Sequence, residues 1–216
     1  MDNYIIALDG PSGSGKSTIA NLLSEKLDIS YLNTGSMYRA LTLYFLKNNI
    51  GEDRKIDLDL LKDIKIDINK DQVYLNGENV SKEIRDKEVT ENVSWVSAIK
   101  IVRKYLVDLQ RKIGSNKSII LDGRDIGTVV FPDAKYKFFL NASPKVRAKR
   151  RYEQKEIDKP IEEIEKDIIK RDYLDSHRKV SPLKKAKDAI VIDSSNLTID
   201  DTIEKIISYM DKDDVL

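Results

Sequence analysis

The 216-residue sequence contains no cysteine, which excludes disulfides, a thiol nucleophile and cysteine-based metal sites. It also has almost no net charge, since 38 Lys+Arg stand against 37 Asp+Glu. A polyanion-binding protein is normally basic, so nucleic acid is not expected as a partner, whereas a small anion held by a few local cations is compatible. Long apolar runs are missing as well. None approaches the roughly 18 residues of a membrane span. The chain enters a strand-like segment at once, so neither a signal peptide nor membrane attachment is expected. The expectation is a soluble, cytoplasmic protein. Internal repeats and low-complexity linkers are absent too, and a chain of this length forms one domain that hides roughly 70% of its unfolded surface.

The densest signal is YIIALDGPSGSGKSTIANLL at positions 4–23. Tyr4 to Asp9 is short, apolar and β-branched, as a buried parallel strand is. Gly10-Pro11-Ser12-Gly13-Ser14-Gly15-Lys16-Ser17-Thr18 then fits the phosphate-loop pattern G-x-x-x-x-G-K-[ST] at every fixed position. Ile19, Leu22, Leu23 and Leu27 follow at helical spacing. Strand, glycine-rich turn and helix start form the context in which this loop cradles phosphates with its N–H groups and a helix N-terminus. Lys16 would reach the β- and γ-phosphates, and the Ser17 hydroxyl would ligate Mg²⁺.

Further along, residues 29–32 read as a second strand, and a helix is expected from Met37 to about Asn49. The polar turn before that helix offers another anion site, faced by Thr34, Tyr38 and Arg39. On spacing alone, Tyr38 is a half-buried helix aromatic. Residues 64–68 alternate apolar and polar, Gln72–Leu75 follows after the turn Asn69-Lys70-Asp71, and Asn76-Gly77 is a hairpin signal. This is a small antiparallel insertion. One long helix is expected over 91–113, with Val93, Val96, Ile99, Val102, Leu106, Leu109 and Ile113 as its apolar stripe. Ser94 and Arg103 lie off that stripe, which by itself means a solvated face.

The strand Ser118 to Asp122 ends in an acid, the form of the second nucleotide-site motif. Arg124 and Asp125 follow directly, where open α/β sheets place their ligands. Tyr136–Leu140 is another strand. A helix opening at Pro144 carries Arg147, Arg150 and Arg151, and Asp158-Lys159-Pro160 marks a break before a second helix from Ile161. On that helix Arg171, Asp175 and Arg178 share one face, whereas the single histidine, His177, is read as solvated. Ala189–Asp193 is the last strand, and an amphipathic helix closes the chain from Thr198. Arginine supplies only 11 of the 38 basic residues, so its clusters stand out, and its rigid fork suits bidentate phosphate binding. Arg54, Arg85 and Arg111 are read as ordinary surface cations. The fold class is α/β: a three-layer P-loop fold with a five-stranded parallel sheet, a small antiparallel β insertion and a helical lid.

A P-loop does not name a reaction. A GTP-dependent switch needs a guanine-reading N-K-x-D motif, and the nearest match, Asn69-Lys70-Asp71-Gln72, lacks the final acid and falls in the insertion. An arginine-rich lid on one compact domain suits phosphoryl transfer to a small acceptor. The sequence resembles bacterial cytidylate kinases, of the nucleoside monophosphate kinase group, over essentially its whole length. The resemblance rests on GPSGSGKST (10–18), TGSMYRA (34–40), LDGRDIGTVVFPDA (121–134), RAKRR (147–151) and RDYLDSHR (171–178). Adenylate and guanylate kinases lack this combination, and shikimate kinase is shorter and has no such insertion.

The resemblance implies transfer of the γ-phosphate of ATP to CMP or dCMP. It implies one domain over 1–216, with an acceptor-binding insertion at about 60–90 and a lid at about 147–160. Gly10 to Thr18 and Arg150 would bind ATP. Ser17 and Asp122 would hold Mg²⁺, directly or through water. Ser94, Arg103 and Asp125 would read the cytosine. Thr34, Tyr38, Arg39, Arg124 and Arg178 would hold or abut the acceptor phosphate, Arg171 and Asp175 would contact the sugar, and Asp122 would also belong to the CMP site. Lys16, Arg124, Arg178, Arg147 and Arg151 would carry the transferring charge. The family usually has serine where this chain has Thr34, and the hydroxyl is kept. A monomer is expected. A kinase of another small acceptor such as UMP, and a nucleotide-dependent regulatory protein without one, are the alternatives.

Overall fold

Five short strands pair in parallel in the order β2-β6-β1-β7-β8: β1 (Ile5–Asp9), β2 (Ser30–Asn33), β6 (Ile119–Gly123), β7 (Tyr136–Asn141) and β8 (Ile190–Asp193). The computed structural model describes residues 3–69, 72–154 and 159–215. The chain forms two compact units, Met1–Tyr31 with Asn116–Leu216, and Leu32–Ser115. Among the described residues no helix is long and apolar enough to cross a membrane.

In the first unit the side-chain alternation of β1 sends Ile6 and Leu8 into a core shared with Ile120, Phe138, Leu140 and Ile192. Helices α1 (Lys16–Lys26) and α8 (Ile199–Ile207) cover it with Ile19, Leu23, Ile203 and Ile206. Leu22, expected on the same stripe, faces outward. Helix α8 begins with a reciprocal cap: the Thr198 hydroxyl accepts the Asp201 N–H and the Asp201 carboxylate accepts the Thr198 N–H, both at 3.1 Å. Helices α6 (Pro144–Glu153) and α7 (Ile161–His177) pack through Ala148, Ile164 and Ile168. Of the expected break at 158–160, Asp158 lies outside the described residues, as do Glu156 and Ile157 of the expected lid.

The second unit holds α2 (Thr34–Lys47), α3 (Leu58–Leu61), the antiparallel sheet β3 (Ile66–Asn69), β4 (Gln72–Leu75) and β5 (Glu78–Asn79), and helices α4 (Lys87–Ala98) and α5 (Lys100–Gly114). Residues 70 and 71 of the expected turn lie outside the described residues. The Asn76-Gly77 turn has both residues at positive φ, 51° and 88°, the geometry that joins strands of matching twist. Helix α2 starts three residues earlier than expected, because the Asn33 side chain accepts the Ser36 N–H at 2.9 Å and caps it at Thr34.

The long helix expected over 91–113 is two helices, broken at Ile99 (φ −70°, ψ 119°). The reason lies in the spacing. Val93, Val96, Ile99 and Val102 are three apart, and each such step falls roughly 60° short of a turn in a 3.6-residue helix. An unbroken helix would carry Val102 to the face opposite Val93. The extended residue at 99 resets the phase, so Val93, Val96 and Val102 are all buried.

After β6 the chain makes one wide helical turn at Ile126–Val130, closed by N–H groups of Val130 and Phe131 on carbonyls five residues earlier, at 3.2 and 2.8 Å. The Asp9 carboxylate, at the end of β1, accepts the N–H groups of Ile126 and Gly127, both at 2.8 Å, and is 3% exposed. Burial raises its pKa from 3.8 to about 6, against the pull of those two N–H groups. The folded state therefore binds this proton more tightly than the unfolded chain. The stabilisation is complete below pH 3.8 and is lost as the pH rises through about 6.

Two stability outcomes are expected. Thr198→Ala costs about 1 kcal/mol in chemical denaturation. In the same assay, wild type should gain about 2 kcal/mol relative to Asp9→Asn between pH 7.5 and pH 4.5. A pH-independent difference would show that Asp9 titrates normally.

Candidate active site

The phosphate loop joins β1 to α1, and its first glycine is dictated by a close backbone approach. A Cβ on Gly10 (φ 154°) would lie 2.1 Å from the Leu140 carbonyl oxygen, far inside contact distance, so only glycine fits. Lys16 Nζ is buried and donates to the Pro11 carbonyl at 2.7 Å and to Ser14 Oγ at 3.4 Å. Burial, then repulsion from Arg124, holds its pKa well below the ordinary lysine value, opposed by Asp122 and Asp9. A lysine so placed gains from an anionic neighbour, because an added negative charge offsets the lost hydration.

At the end of β6, Asp122 accepts from Ser17 Oγ at 2.9 Å and from the Tyr31 hydroxyl at 3.0 Å. Burial raises its pKa, while Lys16, the two hydroxyls and Arg124 pull it down. The hydroxyl and carboxylate predicted for Mg²⁺ are thus adjacent. Among the described residues there is no group of three or more His/Cys/Asp/Glu that could hold a metal. One hydroxyl and one carboxylate fit Mg²⁺, which keeps waters and substrate phosphates in its shell rather than an all-protein cage.

The three arginines of α6 all reach the loop. Arg147, 3% exposed, donates through Nε to the Ala142 carbonyl (2.8 Å) and through Nη1 to the Ser12 carbonyl (2.7 Å), and its Nη2 pairs with Asp172 Oδ2 at 2.7 Å. Arg150 donates to the Ser14 carbonyl at 3.4 Å and to both oxygens of Ser194. The Arg151 stem passes 3.8 Å from where a Cβ on Gly13 would be. Thr18 follows Ser17 in the first turn of α1.

A second cluster follows β6. Arg124 Nε donates to Asp175 Oδ2 at 3.0 Å. Arg178 lies 3.7 Å from Asp125 Oδ1 and 4.0 Å from Asp175 Oδ1. Burial alone would raise the Asp175 pKa, but Arg124, Arg171 and Arg178 together hold it below the usual range. Four predicted residues of α7 and the post-β6 turn therefore do meet. His177 is exposed and stacks on Tyr173, as expected of a solvated residue.

In the second unit Thr34 is buried in the first turn of α2. Arg39 donates to the Ile84 carbonyl (3.0 Å) and Thr90 Oγ1 (2.9 Å). Arg103 corrects the solvated-face expectation. It is 3% exposed, donates to the Ser97 carbonyl in the last turn of α4 at 3.2 Å, and has its guanidinium 5.2 Å from the Tyr38 ring centroid. A cation there suits both the helix C-terminus and the aromatic face. Tyr38 is buried rather than half-buried. Ser94, half-buried, gives its carbonyl to the Ser97 hydroxyl.

Four residues escaped the sequence reading. Asp9 carried a visible signal, an acid ending a buried strand as Asp122 does. Tyr31, Asp172 and Ser194 carried none, because their partners are 91, 160 and 44 residues away.

A family model described as Cytidylate kinase matches residues 6–212. A cytidylate kinase of Fusobacterium nucleatum is 53% identical over 216 residues, covering 98% of this chain and 99% of that protein. One from Clostridium perfringens is 50% identical over 211 residues, covering 96% and 97%. Among solved structures, a shikimate kinase from Bacteroides thetaiotaomicron superposes with a TM-score of 0.51 at 12% identity, over 95% of this chain and 97% of that one. An uncharacterised protein from Eubacterium ventriosum superposes with a TM-score of 0.55 at 16% identity, over 97% and 99%. These two likenesses concern the fold alone. The family match spans nearly the whole chain and agrees with the loop, the Ser17–Asp122 pair and the arginine clusters: the chain belongs to the cytidylate kinase family.

Proposed function

We propose that this protein transfers the γ-phosphate of ATP to CMP or dCMP, giving ADP and CDP or dCDP. The observation that carries the reading is the gathering, beside the phosphate loop, of a buried lysine, a hydroxyl–carboxylate pair and arginines of α6, with Arg124 of the post-β6 turn and Arg171 of α7 close enough to act on the lysine.

Gly10 to Thr18 and Arg150 hold the ATP phosphates and their surroundings. Ser17 and Asp122 hold Mg²⁺, which shields phosphate charge when bound. The acceptor oxygen of CMP is already ionised at neutral pH and needs no strong base. Catalysis is then positioning plus neutralisation of charge on the transferring group. Lys16, Arg124, Arg178 and Arg151 supply the neutralising charge, and Arg147 shapes the loop. Thr34, Tyr38 and Arg39 hold the acceptor phosphate, and Arg171 and Asp175 its sugar. Ser94, Arg103 and Asp125 read the base. A carboxylate accepts from the cytosine amino group but faces a carbonyl in uracil, and Arg178 stands beside Asp125 with the matching charge. Residues at about 60–90 serve the acceptor, and α6 with the start of α7 serves as the lid that excludes water. The protein works in the cytoplasm as a monomer.

The deciding assay couples ADP release from MgATP to separate acceptors: CMP, dCMP, UMP, AMP, GMP and shikimate. Turnover is expected with CMP and dCMP, and little with the others. No turnover with retained ATP binding would overturn the acceptor. Arg124→Ala and Arg178→Ala should each lower turnover by roughly 10³–10⁵-fold, far beyond any change in melting temperature. Asp125→Ala should remove about 1–3 kcal/mol of discrimination between CMP and UMP; an unchanged preference would place base reading elsewhere.

A further inference from the structure

Ser12 is held from both sides of its own backbone. Its N–H donates to Asp172 Oδ1 at 3.3 Å, and its carbonyl accepts from Arg147 Nη1 at 2.7 Å. Asp172 and Arg147 are themselves paired at 2.7 Å. The three residues thus close a ring, with Arg147 on α6 and Asp172 on α7. The third arm of Arg147, on the Ala142 carbonyl just before α6, anchors the guanidinium. Neither helix drifts on its own, because Ala148, Ile164 and Ile168 pack them together. Ser12 and Arg147 are 4% and 3% exposed, so these charge-assisted bonds are little screened.

We infer that Asp172 is a positioning residue for the donor nucleotide: directly at the Ser12 N–H, and through Arg147 at the Ser12 carbonyl, it sets the peptide planes on either side of Ser12, and so the shape of the phosphate loop. This rests on the reading that the loop binds ATP. The Ser12 N–H is taken by Asp172, and the Ser12–Gly13 peptide that Arg147 holds carries the next N–H of the loop, that of Gly13, into the stretch whose N–H groups would face the phosphates. A loop ordered in advance binds its ligand without an ordering cost, whereas one left loose loses both affinity and alignment. Asp172 has both oxygens of its carboxylate engaged, by Ser12 and Arg147. Its neighbour Arg171 and nearby Asp175 belong to the acceptor side, so the effect of Asp172 is separable by substrate.

The test compares wild type with Asp172→Asn. The KM for MgATP should rise by about tenfold, the scale of one lost charge-assisted hydrogen bond, with the CMP KM within about twofold. A purely structural role would move both KM values together, and that outcome, or an unchanged ATP KM, overturns the proposal. Arg147→Lys should raise the ATP KM similarly, and the double variant should lose less than the product of the two single losses, because the arm through Arg147 is shared. Additive losses would show that Asp172 does not act through Arg147. If Asp172→Asn does not fold, Asp172→Glu keeps the charge but displaces it. A several-fold rise in the ATP KM then supports the proposal and no rise overturns it. Titration with a fluorescent N-methylanthraniloyl-ATP needs no acceptor. It tests the clamp even if CMP is not the substrate, while failure of wild type to bind that probe would instead remove the ATP reading.

Discussion

Moving an ion out of water costs several kcal/mol unless a partner and hydrogen bonds replace the lost hydration, and the carboxyl end of this sheet concentrates such ions. Asp9, Lys16, Asp122, Asp125, Arg147 and Asp175 are all buried. Each solution is different. Asp9 takes backbone N–H groups, Asp122 takes hydroxyls, Asp175 takes arginines, and Arg147 takes carbonyls and an acid. The directions of the shifts follow from burial set against those partners. Burial outweighs the partners of Asp9 and Asp122 and leaves their pKa values raised, whereas three arginines together outweigh burial at Asp175 and hold it down.

The same constraint explains how the loop is built. A P-loop is commonly described by the residues within it. Here much of its geometry is imposed from outside, by arginines on α6 that reach the Ser12 and Ser14 carbonyls. Even Gly10 is fixed by a neighbour, the Leu140 carbonyl on β7. The basic segment RAKRR is therefore partly scaffold: Arg147 has its donors on protein groups, whereas Arg151 lays its stem beside Gly13.

The features legible in the sequence are the contiguous ones. The phosphate loop, the acid closing β6, the Asn76-Gly77 turn and the capped start of α8 are each written within a few neighbouring residues, because local backbone chemistry produces them. The features hidden from it depend on distant pairing. Arg103 looks solvated on a helical wheel, yet the end of α4 and the face of Tyr38 draw it inside. Asp172 lies off the α7 face that groups Arg171, Asp175 and Arg178, and its significance comes from Arg147 on another helix. The break at Ile99 falls between these cases. It is present in the run of three-residue spacings, which a straight helix cannot keep on one side.

The wide turn at Ile126–Val130 has an evolutionary consequence. A π-type turn amounts to one residue inserted into an ordinary helical turn. Surface connections usually accept gains and losses of chain length. This one begins next to Asp125, is gripped at its first two N–H groups by Asp9, and hands the chain on towards β7. Deleting a single residue would tighten it to an α turn and rotate the downstream chain by roughly 100°. The segment should therefore vary among relatives in side-chain identity far more readily than in length.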